Sequence, residues 1–162
     1  MTASAGPRRL AAPLLVALCA FLIDQASKWW ILEGLRLPER GAVDVFAPFL
    51  RFTMAWNTGA NFGLGAAIGR DLWIALALVI SLGLAVWASR MASSWRRVSV
   101  GLVIGGALGN ALDRAIHGAV VDFLNMSCCG FTNPYAFNLA DVFIFAGAFG
   151  LILLDGSDNH RG

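Results

Sequence analysis

Charge is what this sequence has least of. Asp, Glu, Lys and Arg make up 14% of the 162 residues, against roughly a quarter in an ordinary soluble domain. Hydrophobic residues make up 58% and the mean hydropathy is +0.69. Such a chain is too apolar to be soluble alone, and it is short enough for one domain. The formal net charge is +2 and no basic stripe follows a helix, which argues against a nucleic-acid partner. Three cysteines (Cys19, Cys128, Cys129) are too few and too oddly placed for a disulfide framework. The two histidines, His117 and His160, stand apart from the cysteines, so no zinc-ligand spacing exists. Neither lies near a candidate serine in any motif. The glycine-rich Gly105-Gly106-Ala107-Leu108-Gly109 follows no strand, which makes it a poor phosphate cradle.

What is present is long apolar runs. Four spans are expected, at about 10–32, 72–88, 98–117 and 137–154, giving an all-α membrane protein. Residues 1–9 read as a short disordered lead and 155–162 as a polar tail. The first run also carries features of a cleaved signal peptide. Leu18 is too large for a cleavage box before Cys19, however, and the apolar pattern continues past it. A retained helix is the preferred reading, with Trp29 and Trp30 at a membrane–water boundary. Val43–Trp56 alternates β-branched and aromatic residues, which favours short strands lying on the bilayer surface. Residues 118–135 read as a loop, with a turn at Asn133-Pro134. Arg8, Arg9, Arg90, Arg96 and Arg97 put both termini in the cytoplasm. Arg36, Arg40, Arg51 and Arg70, in the first outer loop, count the other way.

The scarce polar groups are not scattered. At 1.5 Å rise per residue, with successive spans antiparallel, Asp24, Lys28, Asn110, Asp113, Arg114, Asp122, Asn138 and Asp141 fall in one leaflet. Ionisable groups at the edge of a hydrocarbon layer are costly, so they are functional candidates by default. Asp24 and Lys28 are spaced i,i+4, the favourable order for an ion pair. Structural pairing and direct substrate contact compete as explanations. Asp113 beside Arg114 likewise reads as a structural pair. Gly101, Gly105 and Gly109 recur every fourth residue, which suits close helix packing rather than chemistry. Asp122 and Asp141 have no cation at helical spacing. Two carboxylates brought close cannot both ionise easily, so they share a proton. One can then take a proton from water while the other gives one to a carbonyl oxygen. A transport path would need polar groups in both leaflets. The segments Leu10–Ala20, Ala77–Val86, Gly101–Gly105 and Ala146–Leu154 are apolar instead. A non-enzymatic binding scaffold is the other alternative.

Five blocks occur in order: Asp24-Gln25-Ala26-Ser27-Lys28, Asn57-Thr58-Gly59-Ala60-Asn61-Phe62-Gly63, Gly105 through Arg114, Val120-Val121-Asp122-Phe123, and Phe137-Asn138-Leu139-Ala140-Asp141. Together they resemble the bacterial lipoprotein signal peptidases (signal peptidase II), from Asp24 to about Gly150. The resemblance implies four transmembrane helices with a small extracytoplasmic β-sheet cradle, in the bacterial inner membrane, with the active site on the outer side. It implies an aspartic endopeptidase that cuts prolipoproteins before a diacylglyceryl-modified cysteine. The catalytic pair would be Asp122 and Asp141. Asn57 and Arg114 would contact substrate or the inhibitor globomycin, which mimics it. Asp24, Lys28, Asn110, Asp113 and Asn138 would line or brace the site. No metal or organic cofactor is implied; the partners are lipidated substrates and membrane lipids. Asn61 departs from the small residue more usual in the family, and Cys128-Cys129 belongs to no motif of it.

Overall fold

The computed structural model describes residues 8–59, 69–128, 130–131 and 133–155. Asn61, Cys129 and the tail beyond 155 lie outside the described residues. Helix α1 (Arg8–Trp29) continues into one π-helical turn (Trp30–Gly34), and a short α2 (Leu37–Arg40) follows. Strands β1 (Ala42–Phe46) and β2 (Leu50–Asn57) lead to α3 (Arg70–Arg90), α4 (Ser94–His117), β3 (Val120–Met126) and α5 (Leu139–Asp155). The four long helices lie within a few residues of the expected spans. Leu10–Gly34 and Arg70–Arg90 are long and apolar enough to cross a membrane, and Leu139–Leu154 is a shorter apolar helix. Helix α4 is more polar for a physical reason: it packs against α1, α3 and α5, so little of it needs to match lipid.

The molecule is apolar outside and polar within. Leu15, Leu22, Val79, Leu82, Phe145 and Ile152 are exposed, whereas Asp24, Lys28, Asp113 and Asn138 are buried. Glycine lets α4 approach its neighbours. A β-carbon at Gly105 would lie 2.5 Å from the Ala17 carbonyl oxygen, and one at Gly109 would lie 2.5 Å from Asp24 Oδ2. Any larger residue would push α1 away. A buried cluster of Ala17, Ala88, Met91, Val100 and Ile104 fills the space between α1, α3 and α4.

The chain between α4 and α5 is not all loop. Gly118, at φ 77°, caps α4 in the left-handed conformation that glycine adopts without strain. The chain then enters β3, which pairs antiparallel with β2 in a three-stranded sheet of order β1-β2-β3. Val120–Met126 lies in the stretch expected to be a loop. It becomes a strand because β2 offers it a partner. Val121 and Phe123 point to one side and pack with Ile31 and Leu37. Asp122, between them, points to the other.

Candidate active site

Asp122 therefore sits on a strand rather than in a loop, and the sheet aims it at the helices. Ala55 is its direct partner on β2. Asn57, two residues further along the same face, reaches it diagonally: Asn57 Nδ2 donates to Asp122 Oδ2 at 3.0 Å.

Asp141 is placed by the start of α5. Asn138 lies just before the helix, as its cap. Its side-chain oxygen accepts from Asp141 N at 2.9 Å, and its own N–H donates to Asp141 Oδ2 at 3.3 Å. This reciprocal pair has the form of a capping box, with Asp where Glu is more usual. Asn138 Nδ2 also donates to Asp122 Oδ1 at 2.6 Å and to Asn110 Oδ1 at 3.1 Å. Asn110 Nδ2 donates to Asp141 Oδ1 at 3.0 Å. One buried asparagine thus touches both carboxylates, and a second joins the circuit.

A second acidic group lies beside the first. Lys28 Nζ is 2.7 Å from Asp24 Oδ2 and 2.8 Å from Asp113 Oδ2. The cation expected to pair with Asp113 was its neighbour Arg114; the structure gives that role to Lys28. Consecutive helical residues diverge by about 100°, so side chains at i and i+1 do not meet. Asp113 Oδ2 also accepts from Val121 N at 3.0 Å, pinning β3 next to Asp122. Asp24 Oδ1 accepts from Ala140 N at 2.9 Å, satisfying a free N–H in the first turn of α5. Lys28 Nζ donates to Asn110 Oδ1 at 3.1 Å, linking the two groups. Arg114 turns elsewhere: Nη1 donates to the Asn110 carbonyl, Nη2 to the Gly59 carbonyl, and its guanidinium carbon lies 5.6 Å from the Trp73 ring centroid.

Sequence reasoning passed over three contributors. Gln25 Nε2 donates to Asp113 Oδ1 at 3.0 Å and to the Gly109 carbonyl at 3.3 Å. It lay inside a quoted block but carried no charge to draw attention. Asn125 Nδ2 donates to the carbonyls of Asn133 (2.7 Å) and Tyr135 (2.8 Å), tying down the strap before α5. Trp73 lay in a span read only as apolar.

Burial and electrostatics distinguish Asp122. Only 2% of it is exposed. Burial, and then the nearby charge of Asp141, push its carboxyl up from 3.8 to about 7, against hydrogen bonds from Asn57 and Asn138 and the charge of Lys28. The two carboxylates open on adjoining clefts that share Tyr135 and Ala136 as a wall. Asp141 heads an apolar cleft of about 560 Å3 running past Val142, Phe145 and Phe149. Asp122 opens on a smaller cleft of about 290 Å3, with Asn57, Thr58 and Trp56.

A helical bundle with an apolar exterior, holding two amide-bridged carboxylates at the mouth of such clefts, has the parts that a membrane-embedded aspartic peptidase needs. Two solved bacterial membrane enzymes share the fold. One superposes with a TM-score of 0.80 at 27% identity over 93% of this chain and 91% of its own. The other gives 0.73 at 28% identity over 88% and 90%. The lipoprotein signal peptidase of Methylorubrum extorquens is 45% identical over 86% of this chain and 82% of its own length. That of Xanthomonas campestris is 42% identical over 91% and 90%. The family model for signal peptidase (SPase) II matches residues 16–155. The chain belongs to the signal peptidase II family, the A8 family of aspartic peptidases, and is a hydrolase.

Proposed function

We propose that this enzyme removes signal peptides from diacylglyceryl-modified prolipoproteins, cutting before the lipidated cysteine, with Asp122 and Asp141 as the catalytic pair. The observation that carries the reading is the amide bridge: Asn138 donates to Asp122 and exchanges hydrogen bonds with Asp141. Asp122, buried beside a second carboxylate, keeps a proton near neutrality. It gives that proton to the scissile carbonyl oxygen. Asp141 takes one from the attacking water. The tetrahedral intermediate then breaks its C–N bond. The departing amine receives the proton held on Asp141, and the diol oxygen returns one to Asp122, so the pair ends as it began.

The clefts suit this substrate. An apolar groove beside Phe145 and Phe149 accepts acyl chains that never leave the bilayer. The cleft beside Asn57 and Thr58 offers polar groups to a peptide backbone. Asn57, Asn110, Asn138 and Arg114 are the polar contacts we assign to substrate, with Asp24, Lys28 and Asp113 as braces and Gly105 and Gly109 as packing positions. Four spans, with both ends of the chain in the cytoplasm and the carboxylates near the outer water boundary of the inner membrane, fit Arg8, Arg9, Arg90, Arg96 and Arg97. Globomycin, as a substrate mimic, would occupy both clefts and block cleavage.

The test is incubation of the purified enzyme with a diacylated prolipoprotein, followed by mass analysis of the product. The expected product begins at the lipidated cysteine and disappears with globomycin. Cleavage at another bond, or equal cleavage of the unlipidated precursor, overturns the substrate assignment.

A further inference from the structure

We propose that Trp73 is a positioning residue for cleavage, acting through Arg114, Gly59 and Asn57 to fix the amide that holds Asp122. The inference rests on Asp122 being one of the reacting pair.

Four contacts join α3 to that carboxylate. The Trp73 ring underlies the Arg114 guanidinium at 5.6 Å, within the range of a cation–π contact. Arg114 is 8% exposed. Its Nη atoms bond to the Asn110 and Gly59 carbonyls, while its Nε has no hydrogen-bond partner among the described residues. A desolvated guanidinium held on two edges can still pivot, and a ring face on its flat side resists that. Gly59 is the next link. Its carbonyl accepts from Arg114, and its N–H donates to Asn57 Oδ1 at 3.1 Å. This Asx turn fixes which way the Asn57 amide faces: its oxygen is engaged by Gly59, so its N–H group turns to Asp122 Oδ2. Rotating the amide by half a turn would set oxygen against carboxylate.

The other ionisable groups acting on Asp122 come from separate elements: Asp141 on α5, Lys28 on α1 and Arg114 on α4. Asp113 on α4 holds the neighbouring Val121 N–H, and the His117 ring lies tilted against Trp56 at the end of β2. The contact of Trp73 that leads toward Asp122 is the one through Arg114. A tryptophan that merely marked the membrane boundary would not need to sit on a buried cation.

The experiment measures kcat and KM against pH with a diacylated prolipopeptide, for Trp73→Leu, Trp73→Phe and Asn57→Ala. Trp73→Leu keeps apolar bulk but no ring, and should lower kcat about three- to tenfold and change KM by less. Loosening the Asn57 N–H lets Asp122 keep its proton to higher pH, so the alkaline limb should move upward. Trp73→Phe should recover most of the loss. Adding Trp73→Leu to Asn57→Ala should cause little further fall, because both break one line of contacts. A rise in KM alone, equal behaviour of Leu and Phe, or full additivity with Asn57→Ala overturns the proposal. If Asp122→Asn still cleaves, the reading of the pair fails. If Asp122→Asn is inactive and Trp73→Leu leaves kcat and the alkaline limb unchanged, only the role of Trp73 fails.

Discussion

Two clusters of aspartate lie side by side in this bundle, equally buried and joined through Asn110, yet they are built on opposite plans. Asp24 and Asp113 share the ammonium of Lys28 at 2.7 and 2.8 Å. Asp122 and Asp141 receive amide N–H groups from Asn57, Asn110 and Asn138. An ammonium compensates the charge of a buried carboxylate and makes it inert. An amide orients a carboxylate without neutralising it, so its proton stays exchangeable. The first cluster fastens α1 to α4, β3 and α5. In the second, on the function proposed above, the proton stays available for the reaction, at a cost in stability.

The sharpest test of this contrast is to remove one carboxylate from the second cluster. Asp122→Asn or Asp141→Asn should lower cleavage on the order of 10²–10⁴-fold, read by mass analysis of the product, while the protein still inserts and folds. Full activity in either variant would remove that residue from catalysis. Breaking the first cluster should do the reverse. Lys28→Met strands two buried carboxylates and should cost about 3–5 kcal/mol, seen as a large drop in melting temperature.

The pH dependence separates the clusters further. The carboxyl of Asp122 is raised from 3.8 to about 7, so its proton is present below that pH and lost above it. Cleavage should therefore fall as pH rises through about 7. For the same reason the folded protein holds this proton more tightly than the unfolded chain. The stability it contributes is full below 3.8 and is lost as pH rises through about 7. Asp122→Asn should accordingly melt higher than the parent at pH 8, with the gap narrowing as pH falls toward 4. Asp24→Asn, which loses half of an ion pair, should melt lower. A melting point for Asp122→Asn below the parent's at pH 8 would mean its charge is compensated after all.

The smallest effect is expected far from both clusters. Arg51 Nε lies 3.4 Å from Asp44 Oδ1 on the exposed face of the β1–β2 hairpin. Arg51→Ala should change stability by at most about 1 kcal/mol, measured by thermal unfolding, and leave cleavage unchanged. A larger loss would show that the hairpin matters beyond its fold.

The helices were legible because each is a local matter. Lipid-facing apolar runs announce themselves within a single segment, and the structure moves their ends by only a few residues. The convergence of eight polar residues was legible too, since rise per residue and alternating direction suffice to estimate depth. Strand β3 was not, because Val120–Met126 is a strand only by virtue of β2, more than sixty residues earlier. The partner of Asp113 was missed for a related reason. Adjacency in sequence suggested Arg114, whereas helix geometry sends the two side chains apart and brings Lys28 across from α1.

The amino-acid order by itself settled that this is a chain for the membrane, where its polar residues gather, and which of them were left without a cation nearby in sequence. Those are properties of composition and helical period, carried within one segment at a time. Only the folded bundle decided which carboxylates would be neutralised and which would be merely oriented. That choice depends on which donor each one meets from another segment, and contacts of that kind exist only after distant parts of the chain have packed.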